Sequence, residues 1–386
     1  MVYRGIDIDS RRAVEVEIDG EQIRRVSEIP AVAELPYISS GFFDIQVNGY
    51  DGFDYSYDSI EPEAVEKLIR SLTRSGTSSH LATIITSPVE KISRRLELLS
   101  EARSKNRLIQ RGLAGIHLEG PFISKADGPR GAHDPAFVCN PDIKLLEEWH
   151  HAAGGMLKLI TLAPELPGSV EFIETAGDLG ILCAIGHTAA DERQLEASIS
   201  AGARLSTHLG NGSASQLDRL RNHIWQQAAD DRLSASLICD GYHIPASVVR
   251  VLSRAKGRQG LVLISDACSM TGRSPGAYRW GTVDVEVEKS GRVVLKGTPY
   301  LAGAGFLLDW DIPRYCEFTD SSIAEALELC TNNPRRLLEM NTLAIHEGYR
   351  ADITLFRYSP GMQRLAIDTT LIAGEEIYQR ADARGL

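Results

Sequence analysis

The chain lacks any close pair of cysteines. Its six cysteines, at 139, 183, 239, 268, 316 and 330, are scattered, and none forms a C-x-x-C. Cys183, Cys239 and Cys268 fall in or beside apolar runs, where a free thiol behaves as a small hydrophobe. A disulfide framework is therefore not expected, and the pattern suits a reducing, cytoplasmic setting. No stretch approaches the ~20 uninterrupted apolar residues of a membrane-crossing helix. The first ten residues carry acids early and no apolar segment, unlike a signal peptide. Positive charge is in deficit: 41 Lys plus Arg stand against 52 Asp plus Glu, a formal net charge of −11. That argues against a nucleic-acid or anionic-membrane surface, but not against a local basic pocket for an anionic small molecule. No internal repeat and no low-complexity segment is found.

What the chain does have is length and core. Its 386 residues, 43% of them hydrophobic, suit a full barrel plus a minor domain. Residues 11–27 alternate apolar and polar around an Asp-Gly turn, and residues 349–378 alternate similarly around Ala-Gly. The two ends are expected to pair into one small β domain. Between them, eight apolar runs alternate with amphipathic stretches: YISSGFFDIQV, SSHLATIIT, GLAGIHLEG, LKLITLAP, ILCAIGHT, ARLSTHL, LSASLICDG and GLVLISDA. The stretch after the first opens near Pro62 and closes at Gly76, as helix punctuation should. Eight strands separated by helices predict a (β/α)8 TIM barrel, with a doubly wound sheet as the alternative. The expected division is 1–36 and 344–386 for the small β domain and 37–343 for the barrel.

Polar residues gather at the C-terminal ends of these strands: Gln46 and Asn48 on the first, His117 and Glu119 on the third, His187 on the fifth, His208 on the sixth, Asp240 and His243 on the seventh, Asp266 on the eighth. In a barrel all of them face one mouth. One such histidine alone is usually structural; several converging make a site. Glu119, His187 and His208 supply one carboxylate and two imidazoles, a catalytic zinc arrangement with an open fourth position, which also suits Fe(II). Water on such an ion becomes a usable nucleophile at a pKa of about 7. Asp266 is the candidate proton shuttle, with a helix cap as its bland alternative. His80 reads as a satisfied core residue, His150 and His151 as solvated. Asp51 and Asp54 read as capping or pairing groups, and His223 as either a lid contact or a surface residue.

The runs GFFDIQVNGYDGFDYS (41–56), GIHLEGPFIS…GPRGAHDP (115–135), AIGHTAA (184–190), STHLGNG (206–212), CDGYHI (239–244) and ISDA (264–267) occur in an order that resembles the N-acetylglucosamine-6-phosphate deacetylases of the amidohydrolase superfamily. The resemblance covers the barrel and both end segments. It implies an amidohydrolase-type barrel with a small β-sandwich domain from both ends, a homodimer, and one divalent metal per chain on Glu119, His187 and His208. It implies that Gln46 and Asn48 replace a His-x-His and stand near metal-bound water. It further implies that His133 polarises the acetyl carbonyl, Asp266 acts as acid/base, His243 touches substrate, and the backbone at Asn211 and Gly212 cradles a phosphate. The family's phosphate arginine, lent across the dimer, corresponds to Arg219 or Arg221.

The chain departs from the family pattern at the substrate end. The usual THLFNAM and following Arg-Glu-Pro-Gly are replaced by THLGNGSASQLDRLRNHIW, and Leu-Ala-Gly-Ser becomes LAGAGFLLDWD, which brings Trp310, Asp309 and Asp311. Two acids are poor neighbours for a phosphate. The expected reaction is hydrolysis of the N-acetyl amide of N-acetylglucosamine 6-phosphate to glucosamine 6-phosphate and acetate. A deacetylase for another N-acyl amino sugar, phosphorylated or not, and a cyclic-amide amidohydrolase are the alternatives. A scaffold that had lost its metal would not retain Glu119, His187, His208 and Asp266 together.

Overall fold

Eight parallel strands follow one another around a barrel: Phe42–Val47 (β1), Thr77–Ile85 (β2), Leu113–Glu119 (β3), Leu157–Leu162 (β4), Leu182–Ile185 (β5), Leu205–Ser206 (β6), Ser234–Leu237 (β7) and Leu261–Leu263 (β8). The computed structural model describes residues 1–32, 34–280, 283–298 and 300–381. The end of the expected C-terminal segment, 382–386, lies outside the described residues. The strands read as near-continuous apolar runs because the barrel is covered on one face and filled on the other. Phe43, Ile45, Leu81, Leu159, Leu205, Val262 and Ile264 fill the interior. The ring closes between the end of β1 and the residues just past β8, through a Val47–Ala267 bridge and an Asp266 amide donating to the Gln46 carbonyl at 3.0 Å. Asp44, buried on β1, accepts from the Ser265 amide and adds a side-chain link across the same seam.

The first crossover helix, α1 (Pro62–Leu72), has proline at its start and ends through a short 3-10 turn at Gly76, whose φ is +84°. A Cβ on Gly76 would come 2.5 Å from the Phe42 ring, so both the left-handed backbone and the packing call for glycine.

The chain ends build one seven-stranded mixed sheet, ordered Glu375–Gln379, Ala366–Ile372, Ile353–Arg357, Tyr37–Ser40, Val2–Asp7, Ala13–Asp19, Gln22–Glu28. Val14, Val16, Ile23, Ile38, Ile353 and Leu371 form its core. The Asp19-Gly20 and Ala373-Gly374 turns join the two expected hairpins, and Tyr37–Ser40 splices the halves together. The expected boundary at 36/37 therefore falls one strand early. YISS and FFDIQV read as one apolar run, but Gly41 separates them, and the first half pairs in the end sheet.

A three-stranded antiparallel sheet, Gly276–Trp280, Val283–Val287 and Val293–Leu295, follows β8 and was not foreseen. Its alternating apolar residues cover Cys268 and Met270. Trp280 donates to Asp54 at 2.9 Å, so Asp54 is a pairing group, as its sequence context suggested.

His80 is a core residue: it is buried, with Nε2 2.7 Å from the Tyr55 hydroxyl, and burial pushes its pKa down to about 3. The unfolded chain binds a proton near pH 6.5 that the folded protein refuses. His80 therefore removes stability as pH falls from about 6.5 toward 3. The expected loss is roughly 2 kcal/mol between pH 6.5 and 5, at about 1.4 kcal/mol per pKa unit. Denaturant titrations across that range should show a shallower acid slope for His80→Gln than for the wild type; equal slopes would remove His80 as a cause.

Candidate metal centre and active site

The barrel mouth is assembled from strand ends. Glu119 closes β3, His187 follows β5, His208 follows β6 and Asp266 follows β8. The last three share an unusual backbone: φ is +52° at His187, +31° at His208 and +51° at Asp266. Left-handed conformations cost side chains with a Cβ about 1–3 kcal/mol and collect at sites where position matters more than comfort.

His187 Nε2 and His208 Nε2 stand 3.2 and 2.8 Å from one oxygen, Glu119 Oε1. All three residues are buried. Burial pushes the Glu119 carboxyl up, but the bonds and charge from His187 and His208 outweigh it and hold the group well below the usual carboxylate range. His187 Nδ1 lies 2.8 Å from the Pro129 carbonyl and donates to it, which turns the Nε2 lone pair of the neutral ring toward the Glu119 side of the pocket, where a cation could take it. His133 joins the cluster: its ring packs edge-on against His187 at 4.4 Å, and ligand atoms of Glu119, His133 and His187 lie within 4.8 Å of one another. Burial, then the neighbouring His187, pushes the His133 pKa down to about 3. An ionised carboxylate facing imidazole nitrogens in a buried pocket is a donor set that fits one divalent cation.

Beside this cluster lies Asp266. Asn48 Nδ2 donates to Asp266 Oδ1 at 2.7 Å, and Gln46 Nε2 donates to the same atom at 3.2 Å and to Glu119 Oε1 at 3.1 Å. Gln46 thus bridges the two carboxylates and Asn48 holds Asp266 alone, and among the described residues no side chain or backbone group donates to Asp266 Oδ2. Burial, then the Glu119 charge, raises the Asp266 pKa to about 6.

Other expected residues have different surroundings. His243 is held by Asp240, whose Oδ2 is 2.7 Å from Nδ1, and Trp310 Nε1 donates to the Asp240 carbonyl at 3.1 Å. Asn211 donates its side-chain amide to the His208 carbonyl at 3.2 Å. Gly212 packs on the His187 ring so closely that a Cβ would sit 2.8 Å from Nδ1. Both therefore buttress the histidines, whatever else their backbone does. Arg219 and Arg221 are exposed on the loop before the helix His223–Ala229 and form no ion pair among the described residues. Asp309 and Asp311 are buried, the first paired with Arg364 at 3.2 Å. His223 is also buried, bonded to Gln227, which removes the plain-surface reading.

Sequence reasoning passed over Thr86. It is the polar residue directly after β2, which like β4 had been assigned no mouth residue, and its Oγ1 is 2.8 Å from His133 Nδ1.

No family model matches the chain. Individual proteins do. The N-acetylglucosamine-6-phosphate deacetylase of Bacillus subtilis (strain 168) is 31% identical over 338 residues, 87% of this chain and 83% of that protein. The protein of the same name from Bos taurus is 31% identical over 358 residues, 90% of this chain and 85% of its own length. Among solved structures, a variant of N-acetyl-D-glucosamine-6-phosphate deacetylase from Mycobacterium smegmatis, in complex with N-acetyl-D-glucosamine-6-phosphate, superposes with a TM-score of 0.85 at 26% identity and covers 95% of each chain.

Proposed function

The chain belongs to the N-acetylglucosamine-6-phosphate deacetylase family of the amidohydrolase superfamily, and from that premise we propose the roles of its residues and its substrate. It is a metal-dependent amidohydrolase that cleaves the N-acetyl amide of an amino-sugar phosphate. The observation that carries the mechanism is the meeting of His187 and His208 on Glu119 Oε1, with Asp266 tied to the same carboxylate through Gln46.

Glu119, His187 and His208 would hold one divalent ion, Zn or Fe(II). The ion, when bound, acidifies water and polarises a carbonyl. Asp266 takes a proton at Oδ2 from the attacking water and returns it to the amide nitrogen as the carbon–nitrogen bond breaks, releasing acetate and the free amine. Gln46 and Asn48 aim that carboxylate by occupying Oδ1. His133 donates to the acetyl oxygen as negative charge develops on it. His243, braced by Asp240, faces the sugar.

The specific substrate is N-acetylglucosamine 6-phosphate, hydrolysed to glucosamine 6-phosphate in the cytoplasm. Arg219 or Arg221 meets the phosphate, its planar fork matching two phosphate oxygens. Their exposure on a loop that also exposes Leu217 and Leu220 supports delivery across a homodimer to the partner's mouth. No helix among the described residues is long and apolar enough to cross a membrane.

A panel of N-acetyl amino sugars with and without 6-phosphate, read by amine release, tests the substrate. Arg219→Ala or Arg221→Ala should weaken the phosphorylated substrate far more than its unphosphorylated counterpart, and mixing either variant with a metal-site variant should restore turnover. Equal or faster hydrolysis of unphosphorylated sugars, with neither arginine mattering, would overturn the phosphate assignment.

A further inference from the structure

We propose that Thr86 is a positioning residue that selects the tautomer of His133 with hydrogen on Nε2, so that the imidazole presents a donor to the acetyl carbonyl. This rests on the carbonyl-polarising role given above to His133.

A neutral imidazole carries one N–H, and the partner of one nitrogen decides what the other can do. His133 is buried, and its Nδ1 sits 2.8 Å from Thr86 Oγ1. Thr86 is itself buried, directly after β2, and its hydroxyl has no second side-chain partner among the described residues. It can therefore spend its hydrogen on Nδ1. If the hydroxyl donates, Nδ1 is the acceptor and Nε2 must carry the ring hydrogen. If it accepted instead, Nε2 would turn a lone pair toward the carbonyl oxygen and repel it as charge grows.

The seat of the hydroxyl is built by the next strand. Gly120, directly after Glu119 on β3, has a φ of +81°, and a Cβ there would fall 2.2 Å from Thr86 Oγ1. Only glycine leaves room for the hydroxyl beside the metal carboxylate. The other ties on His133 reach its backbone, the Arg130 guanidinium donating from Nη1 to the His133 carbonyl at 2.9 Å and the His133 amide donating to the Arg130 carbonyl at 3.3 Å, so among the described residues the ring's hydrogen bond is to Thr86.

The test uses the metal-loaded enzyme with N-acetylglucosamine 6-phosphate and compares Thr86→Val, which keeps the branched shape, with Thr86→Ser, His133→Ala and the Thr86→Val/His133→Ala double variant. Thr86→Val should retain the metal and a KM within about twofold while kcat falls roughly 10-fold, the usual scale for loss of an orienting partner. Thr86→Ser should restore kcat, and Thr86→Val should add nothing in the His133→Ala background. Nitrogen-15 NMR of histidine-labelled wild type should show His133 protonated at Nε2 and bare at Nδ1. An undiminished kcat in Thr86→Val, with His133→Ala slow, overturns the role of Thr86 and leaves that of His133 standing. Undiminished turnover in His133→Ala overturns the reading of His133 itself. A wild-type spectrum with hydrogen on Nδ1 overturns the tautomer assignment without any variant.

Discussion

Asp266→Asn should leave the metal in place and lower kcat by about 10²–10⁴-fold, the span that general acid–base catalysis covers. Asparagine keeps the shape and can still face Asn48 and Gln46, but it cannot accept a proton from water. Both amides donate to Oδ1, which asparagine can keep as its carbonyl oxygen with the new NH2 at the Oδ2 position, so a metal assay and a thermal melt should show the site and the fold preserved. The measurement is kcat at saturating substrate beside metal content by elemental analysis. Turnover near that of the wild type would move proton transfer to another group at the mouth.

His208→Ala should be more severe, with metal and turnover lost together, on the order of 10⁴-fold or beyond. His208 Nε2 is the nearer of the two imidazoles to Glu119 Oε1, at 2.8 Å. Its removal leaves a buried carboxylate with one fewer donor, so the apo variant should also bind a proton more readily at Glu119. The wild type should hold about one ion per chain by elemental analysis, and His208→Ala well below that. Two tightly held ions in the wild type would sink the mononuclear reading, and full occupancy in the variant would exclude His208 as a ligand.

The positions of Glu119, His187, His208 and Asp266 were legible in the sequence because a barrel strand announces itself twice. An apolar run marks the buried strand, and an ionisable side chain within about three residues of its end marks the mouth. Helix α1 was legible because Pro62 and Gly76 act locally, through fixed φ and permitted left-handed backbone. The three-stranded sheet after β8 was not, because its strands are short and half exposed and its apolar face meets only a small separate cluster. The sequence boundary of the end sheet was not legible for a related reason: whether Tyr37–Ser40 pairs with Val2–Asp7 or with β1's neighbours depends on partners far along the chain.

Residue identity and order thus determined the barrel, the small β domain from both ends, the metal-capable carboxylate and imidazoles and the candidate acid/base, since each follows from period, punctuation and side-chain chemistry carried within a few residues. Tertiary structure alone decided which atom each group engages. That Asn48 and Gln46 hold Asp266, that Thr86 holds His133, and that Gly212 lies against His187 are contacts between residues separated by 218 and 220, by 47, and by a full βα unit. Hydrogen bonds act over about 3 Å, and no local pattern records which distant residue will arrive at that distance once the strands have closed into a ring.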